Sequence, residues 1–287
     1  MKKYAPFLAL CLAVLALFVW IRFRPSAHRQ AGSGEQIEVF VSILPQKHFV
    51  EKVGGGRVRV LALVGPGQSP ATYEPLPQQM ADLAQAALYF RIGVPFEAAW
   101  LDKIAGLNPQ LRIVDTRRGI TLRSMGGGED PHIWLDPLLV KTQAATIYEE
   151  LAASDPENSA YYAENLDAFW RELDELDAEL AAVLGTLGTE KLMVFHPAWG
   201  YLLERYRITQ LPIEFEGKEP GPRLLAEVID TAQKEGIKVI FAEEQYDGQT
   251  ALAVARAVGG KVVKLDPLAE DYIANLRSIA EAIKKEH

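Results

Sequence analysis

The feature that most constrains the fold is a long helical pattern in the middle of the chain. It runs from about Pro156 to about Leu187, and at ~1.5 Å per residue such a helix is about 45 Å long. Its apolar residues recur at the spacing of a single helix face: Tyr162, Leu166, Phe169, Leu173, Leu176, Leu180, Val183 and Leu187. Asp155 is expected to cap this helix, with Pro156 in its first turn. We interpret the helix as a rigid connection between two lobes; one arm of a two-helix hairpin is the alternative.

Short apolar, β-branched segments alternate with helical patterns on both sides of the long helix. The predicted strands are 37–44, 57–64, 87–93 and 112–116 before it, and 191–195, 208–215, 237–242 and 261–265 after it. This alternation is typical of parallel sheets covered by helices on both faces. We therefore predict an α/β protein with two lobes of parallel sheet flanked by helices, joined by one long rigid α-helix.

The predicted boundaries follow from that alternation, and 287 residues are enough for two lobes. Residues 1–36 form an N-terminal signal or anchor and a linker, and residues 37–154 form the N-terminal lobe. Residues 155–188 form the connecting helix, and residues 189–287 form the C-terminal lobe.

The N-terminus has the pattern of an export segment. Two lysines precede the uncharged run from Tyr4 to Ile21, which is close to the ~20 residues that span a bilayer. Arg22 and Arg24 follow, with no clear cleavage site, so an uncleaved membrane anchor is favoured over a cleaved signal. Cys11 is a weak candidate for lipidation, because Leu10 precedes it and a small residue is expected at that position. In each case the body is predicted to be periplasmic or extracytoplasmic, and the anchor would hold it at the cytoplasmic membrane.

Cysteine content and charge exclude several classes of function. Cys11 is the single cysteine, so the rest of the chain has neither a disulfide nor a thiolate metal site. The net charge is −8, whereas nucleic-acid binding requires clustered Lys and Arg. We therefore expect no nucleic-acid partner.

Potential ligands lie where open α/β sheets bind theirs, beyond the carboxyl ends of the strands. His196 and Asp266 each follow a predicted strand directly, and His132 lies in the loop after the fourth strand. Together they would form a site that closes between two lobes. The plainer interpretation is that His196 and Asp266 cap the helices that follow, although His is a poor cap. Asp136 is interpreted as a cap rather than a ligand.

Five segments suggest a family. They are SILPQKHFVEKVGG, PATYEPLPQQM, DPHIWLDP, FHPAWGYLLERY and GGKVVKLDPLAEDYIANL, and the chain resembles, over residues 37–285, the metal-binding solute receptors of ATP-driven zinc and manganese importers. The resemblance implies one divalent cation between two lobes joined by a rigid helix. It also implies His132, His196 and Asp266 as metal ligands.

The chain departs from that family at one position. The resemblance places the first ligand histidine of the family at position 71, where this chain has Ala71. His48, at the start of the helix after the first strand, and Glu74, three residues after Ala71, are predicted as replacements. Water is the third alternative. Glu243 and Glu244 could add an acidic rim or an extra carboxylate.

These observations predict a solute-binding protein without enzymatic activity. It would capture a divalent transition-metal cation, with zinc favoured and manganese or iron as alternatives, because imidazoles and a carboxylate suit these ions. It would deliver the ion to the membrane permease of an ABC importer. The alternatives are the same scaffold binding a non-metal solute or a metal chelate, which Arg91 or Trp199 would support if either pointed into the cleft, and a metalloenzyme with two histidines and one carboxylate.

Overall fold

The computed structural model describes residues 36–188, 190–215, 218–246 and 248–286. The predicted export segment, including Cys11, therefore lies outside the described residues. Within the described ranges, no helix is long and apolar enough to cross a membrane. The chain from Gln36 onwards forms one compact unit that contains both main sheets.

The N-terminal sheet consists of four parallel strands in the order β2-β1-β3-β4. They are β1 (Ile37–Val41), β2 (Val58–Ala62), β3 (Leu88–Arg91) and β4 (Arg112–Asp115). The helices that alternate with them are α1 (Leu44–Gly54), α2 (Pro77–Leu83) and α3 (Pro95–Leu107). In strands β1 and β3, residues 39–41 and 88–90 are apolar and buried, because helices cover both faces of a parallel sheet.

A short antiparallel hairpin and a helix follow the N-terminal sheet. The hairpin strands are β5 (Ser124–Met125) and β6 (Gly128–Glu129), and both linking glycines have positive φ, as a two-residue hairpin turn requires. Helix α4 (Pro137–Ser154) comes next. The Asp136 side chain accepts hydrogen bonds from the backbone N–H groups of Leu138 and Leu139, which confirms its predicted role as a cap.

Helix α5 (Ser159–Leu184) has 26 residues, so its length is about 39 Å. It is shorter than predicted because 3-10 turns occupy Pro156–Asn158 before it and Gly185–Leu187 after it. Its buried face matches the predicted one up to Leu180, and it then continues through Leu184 rather than Val183. The helix packs against α1 and α4, and also against α9, which belongs to the C-terminal half of the chain.

Asp155 does not cap the long helix through its side chain. It accepts hydrogen bonds from Arg57 and Tyr162 instead, at 3.1 Å and 2.8 Å, and thereby ties the start of the helical region to the N-terminal sheet. Burial acts to raise the pKa of Asp155, but hydrogen bonds from Asn158, Tyr162 and Arg57 outweigh it and leave the pKa below its usual value.

The C-terminal sheet repeats the topology of the first. Its parallel strands are β7 (Lys191–Val194), β8 (Thr209–Pro212), β9 (Val239–Glu243) and β10 (Lys261–Leu265), in the order β10-β9-β7-β8. Its helices are α6 (Gly200–Arg205), α7 (Pro222–Lys234), α8 (Gln249–Ala257) and α9 (Tyr272–Glu286). In each sheet the first strand lies between the second and the third. The second strand is thus added on one side of the first strand and the third strand on the other, beside β1 and beside β7. Ligands of open α/β sheets bind at such switch points. The predicted fold class is confirmed.

The packing of α5 gives a test of its structural role. Leu173 is completely buried on the inner face of this helix, and Leu173→Ala should lower the free energy of unfolding by about 2–5 kcal/mol through lost contacts and a cavity. Leu224 in α7 is 37% exposed, so Leu224→Ala is the matched control and should lower the free energy of unfolding much less. Urea denaturation measures both; equal losses would contradict the packing described.

Candidate metal-binding site

A cavity of about 140 Å³ lies between the two sheets. It is lined by the segments that follow β2, β3, β7, β9 and β10, and by residues between Met125 and Trp134. Side chains from both halves of the chain therefore meet at the switch points of both sheets. This is the location that the sequence predicted for a ligand.

A wider groove runs along β4 but has no comparable chemistry. It measures about 610 Å³ and is lined by Arg112, Arg117 and Arg118. Each guanidinium forms ion pairs with acids, mainly Glu150, Asp115 and Glu149 respectively. The charges in this open groove are thus neutralised locally, whereas imidazoles converge in the smaller cavity.

Two of the predicted ligands, His132 and His196, face each other in the cavity. His132 lies just before the 3-10 turn Ile133–Leu135, and His196 comes two residues after the end of β7. Their Nε2 atoms are 3.3 Å apart. One histidine belongs to each half of the chain, so the pair spans the space between the two sheets.

A buried carboxylate holds each ring from behind. Nδ1 of His132 lies 2.7 Å from Asp130 Oδ1, and Nδ1 of His196 lies 2.9 Å from Glu214 Oε2. Because an ionised carboxylate only accepts hydrogen bonds, each Nδ1 carries the proton and donates it. Burial lowers the pKa of His132 more than the bond to Asp130 raises it, which favours the neutral ring. On the neutral His132 ring the Nε2 lone pair then points into the cavity, towards Nε2 of His196.

The spacing of the two nitrogens suits a metal ion. Zinc–imidazole bonds of ~2.0–2.1 Å at a tetrahedral angle place the two nitrogens about 3.3–3.4 Å apart, as they are here. Carboxylates bonded to the far nitrogen are the usual support of metal-binding histidines, because they fix the tautomer and the ring orientation.

The third predicted ligand, Asp266, is not brought to the histidines. It follows β10, and its Oδ1 accepts hydrogen bonds from Gln245 Nε2 at 2.8 Å and from the backbone N–H of Leu268 at 2.9 Å. Gln245 and Leu268 line the cavity, so Asp266 lies next to its wall. In the ranges that the structure describes, no three His, Cys, Asp or Glu side chains are grouped as a complete metal site.

Neither His48 nor Glu74, the residues predicted to replace a ligand at position 71, lines the cavity, whereas Ala71 does. His48 packs against the rings of Phe169 and Tyr272, with centroids 6.0 Å and 6.2 Å from its own. This contact places it on the side of α1 that faces α5. Glu74 is exposed in the loop before α2.

Glu243, the last residue of β9, lines the cavity but has both oxygens engaged. One accepts the backbone N–H of His196 at 3.2 Å and the other accepts the indole N–H of Trp199 at 2.7 Å. Burial raises the pKa of Glu243. Its contacts make it a support for the His196 loop. Glu244, by contrast, is exposed.

Tyr246 is a cavity residue that the sequence did not indicate. Its ring stacks on His196, with centroids 5.2 Å apart and planes inclined by 28°. Its hydroxyl lies near the Ser69 side chain in the other half of the chain, and burial raises its pKa. Tyr246 thus covers one face of the ligand ring and reaches the loop that contains Ala71.

The sequence also missed the carboxylates behind the histidines. Asp130 had a local signal, since it stands two residues before His132. Glu214 had none, because it is 18 residues from His196 and only the pairing of β8 with β7 brings it close.

Two sheets of the same topology, with histidines from both halves meeting in one cavity, define a receptor that holds a small solute, here a metal cation, between its halves. The comparisons with known proteins agree. Residues 39–286 match the family described as "Zinc-uptake complex component A periplasmic" (ZnuA), and the chain belongs to that family.

Solved structures with the same fold include members of that family. A crystal structure of ZnuA is 43% identical, with a TM-score of 0.85 over 88% of this chain and 99% of that one. A ZnuA deletion mutant with zinc bound is 44% identical, with a TM-score of 0.84 over 88% and 98% of the two chains.

Curated relatives are more distant in sequence but similar in length. A putative metal-binding protein of Chlamydia muridarum is 29% identical over 86% of this chain and 90% of its own. The high-affinity zinc uptake protein ZnuA of Bacillus subtilis is 26% identical over 82% and 79%. The manganese ABC transporter substrate-binding lipoprotein PsaA of Streptococcus anginosus is 26% identical over 99% and 100%. The predicted class, a metal receptor of zinc and manganese importers outside the cytoplasm, is confirmed at the level of the family.

The packing of His48 leads to a test of its role. Burial, and then the charge of Lys52, lower its pKa, while Asp271, Glu172 and Glu270 oppose the change. The unfolded chain binds a proton on this ring below about pH 6.5, but the folded chain does so only at lower pH, so acid favours unfolding. His48→Leu should therefore reduce the loss of stability between about pH 7.5 and about pH 5, as measured by urea denaturation.

Zinc affinity provides the control for this test. It should stay unchanged in His48→Leu and in Glu74→Ala, because neither side chain lines the cavity. Loss of zinc binding in His48→Leu would instead show that His48 is a metal ligand.

Proposed function

We propose that this chain captures a divalent transition-metal cation in the cavity between its two sheets and delivers it to the membrane permease of an ABC importer. Zinc is favoured, and manganese and iron are the alternatives. The observation that carries the proposal is the facing pair of Nε2 atoms 3.3 Å apart, each ring held by a buried carboxylate. The zinc and manganese uptake proteins among its relatives support the same reading.

The proposed ligands are His132, His196 and Asp266. The two histidines already face the cavity, whereas Asp266 accepts hydrogen bonds from the Gln245 side chain and the Leu268 backbone N–H. Binding of the cation would turn the carboxylate from the Gln245 amide towards the metal, since a divalent charge attracts it more strongly than a neutral donor does. Two neutral nitrogens and one carboxylate oxygen form a donor set that suits zinc.

The same arrangement supports release. We propose that residues 37–154 and 189–287 act as two lobes and that residues 155–188 connect them. His132 then belongs to one lobe, and His196 and Asp266 belong to the other. Separation of the lobes would divide the ligand set, and the metal would lose affinity without any chemical step.

The contacts around the cavity support a receptor rather than an enzyme. The buried carboxylates nearest the histidines are Asp130, Glu214 and Glu243. Each accepts a hydrogen bond from a histidine ring or from the backbone of a histidine. A hydrolytic site would need an acid or base free to act on substrate. We therefore propose that the chain has no enzymatic activity.

An organic anion is also a weaker proposal than a metal cation. Such a ligand would require a basic group at the cavity, and Arg91 is paired with Asp115 instead. Trp199 is buried and donates its N–H to Glu243. We further propose that the N-terminal segment, residues 1–36, keeps the receptor at the membrane beside its permease.

Metal binding can be measured as a stabilisation. A ligand that binds only the native state raises its stability by RT ln(1 + [L]/Kd), about 2.7 kcal/mol at a hundredfold excess over Kd. The metal-free, full-length chain in mild detergent should therefore melt at higher temperature when zinc is added. The double variant His132→Ala, His196→Ala should lose this shift. A shift that survives both substitutions would contradict the assignment of the site, and no shift with zinc, manganese or iron would contradict the function.

The carboxylate behind His196 should control affinity without touching the metal. Glu214→Ala is expected to weaken zinc binding by about 10–100-fold, because the ring loses its fixed orientation. Glu214→Gln should retain more of the affinity, since the amide oxygen can still accept the Nδ1–H bond. Calorimetric titration measures both. Equal zinc affinity in Glu214→Ala and the unmodified chain would show that this hydrogen bond does not support the site.

A further inference from the structure

The cavity is larger than a metal ion and its three proposed protein ligands require. Its volume is about 140 Å³, whereas one water occupies about 30 Å³ of liquid, and an apolar cavity of about 150 Å³ accepts a benzene ring. The cavity is therefore of the size that accepts a small planar ring. This inference rests on the proposed function, because it concerns what completes the coordination of the captured metal.

The room for such a ring adjoins a position with no donor. Ala71 presents only a methyl group to the cavity that also receives both imidazoles. His48 and Glu74, which could have supplied a donor from nearby in the sequence, do not line it. The Glu243 oxygens, which do reach the cavity wall, are bonded to His196 and Trp199. A metal held by His132, His196 and Asp266 would keep a coordination position for a ligand from outside the protein.

The walls determine the chemistry of that outside ligand. Beside the histidines, the cavity is lined largely by apolar and aromatic side chains, including Val94, Pro95, Trp134 and Leu268. Among the described lining residues the charged side chains are Glu129 and Glu243, and none is Lys or Arg. An anionic ligand would therefore find no basic side chain among these lining residues to pair with. A neutral, flat nitrogen donor would meet apolar walls and place its lone pair on the metal.

We propose that the receptor binds its metal together with a small neutral nitrogen heterocycle of the imidazole class, held in the cavity beside Ala71. The ring nitrogen donates its lone pair to the metal and displaces a metal-bound water, which leaves to solvent. No covalent bond of the protein changes. The ligand thus supplies from solution the donor that a side chain at position 71 would have provided.

Imidazole itself is the probe. Zinc affinity of the full-length chain in mild detergent is measured at increasing imidazole, with free zinc fixed by a competing chelator so that zinc–imidazole complexes in solution do not interfere. The zinc Kd should fall roughly 10-fold, within the usual range for coupled sites, and zinc should raise the affinity for imidazole by the same factor. Metal-free protein should bind imidazole weakly.

Three variants locate the effect. Ala71→His should bind zinc more tightly without imidazole and should lose the response to it. Ala71→Leu fills the space without a donor, so its zinc affinity should stay at the lower value at every imidazole concentration. Ala182→His places the same new ring on the exposed side of α5 and should behave like the unmodified chain. Thermal melting of each metal-free variant confirms folding.

The outcomes separate this inference from the function on which it rests. Zinc binding that imidazole leaves unchanged or weakens overturns the co-ligand and leaves the metal receptor intact. An imidazole effect that persists in both Ala71→His and Ala71→Leu places the ring elsewhere and also overturns it. Absence of zinc binding at every imidazole concentration overturns the proposed function itself.

Discussion

The site depends on one interaction, the opposition of His132 and His196 with their Nε2 atoms 3.3 Å apart. The two Nε2 atoms meet in the cavity, and each ring is held from behind. Asp130 and Glu214 hold the Nδ1 atoms, and both carboxylates are almost completely buried. If this pair holds the metal, as proposed, its two donors are already ordered, which lowers the entropic cost of binding.

The contacts that orient the histidines also connect the two halves of the chain. Trp134, two residues after His132, donates its N–H to the carbonyl of Pro267 at 2.8 Å. Asp136 caps α4 and also receives two hydrogen bonds from Arg205, both at 2.7 Å. Tyr201 bonds to the backbone of Asp130. The loop that carries His132 is thus attached by hydrogen bonds to the C-terminal half of the chain.

The sequence predicted what depends on local pattern. The alternation of strands and helices predicted the two sheets, and the spacing of apolar residues predicted most of the buried face of α5. The positions after predicted strands indicated His132 and His196 as candidate ligands. It could not predict which face of α1 carries His48, because that depends on the packing of Phe169 and Tyr272 against it. Nor could it predict that Glu214 supports His196 or that Gln245 engages Asp266, since these pairs form only when separate strands and loops meet.

The most direct test of the account is X-ray absorption at the zinc edge of the zinc-loaded protein. If His132 and His196 hold the metal, the spectrum should show scattering from two imidazole rings with zinc–nitrogen distances of ~2.0–2.1 Å, together with oxygen or nitrogen donors at similar distance. His132→Ala and His196→Ala should each remove one imidazole contribution. A zinc spectrum without imidazole scattering, or one unchanged by both substitutions, would contradict the claim that this histidine pair is the metal site.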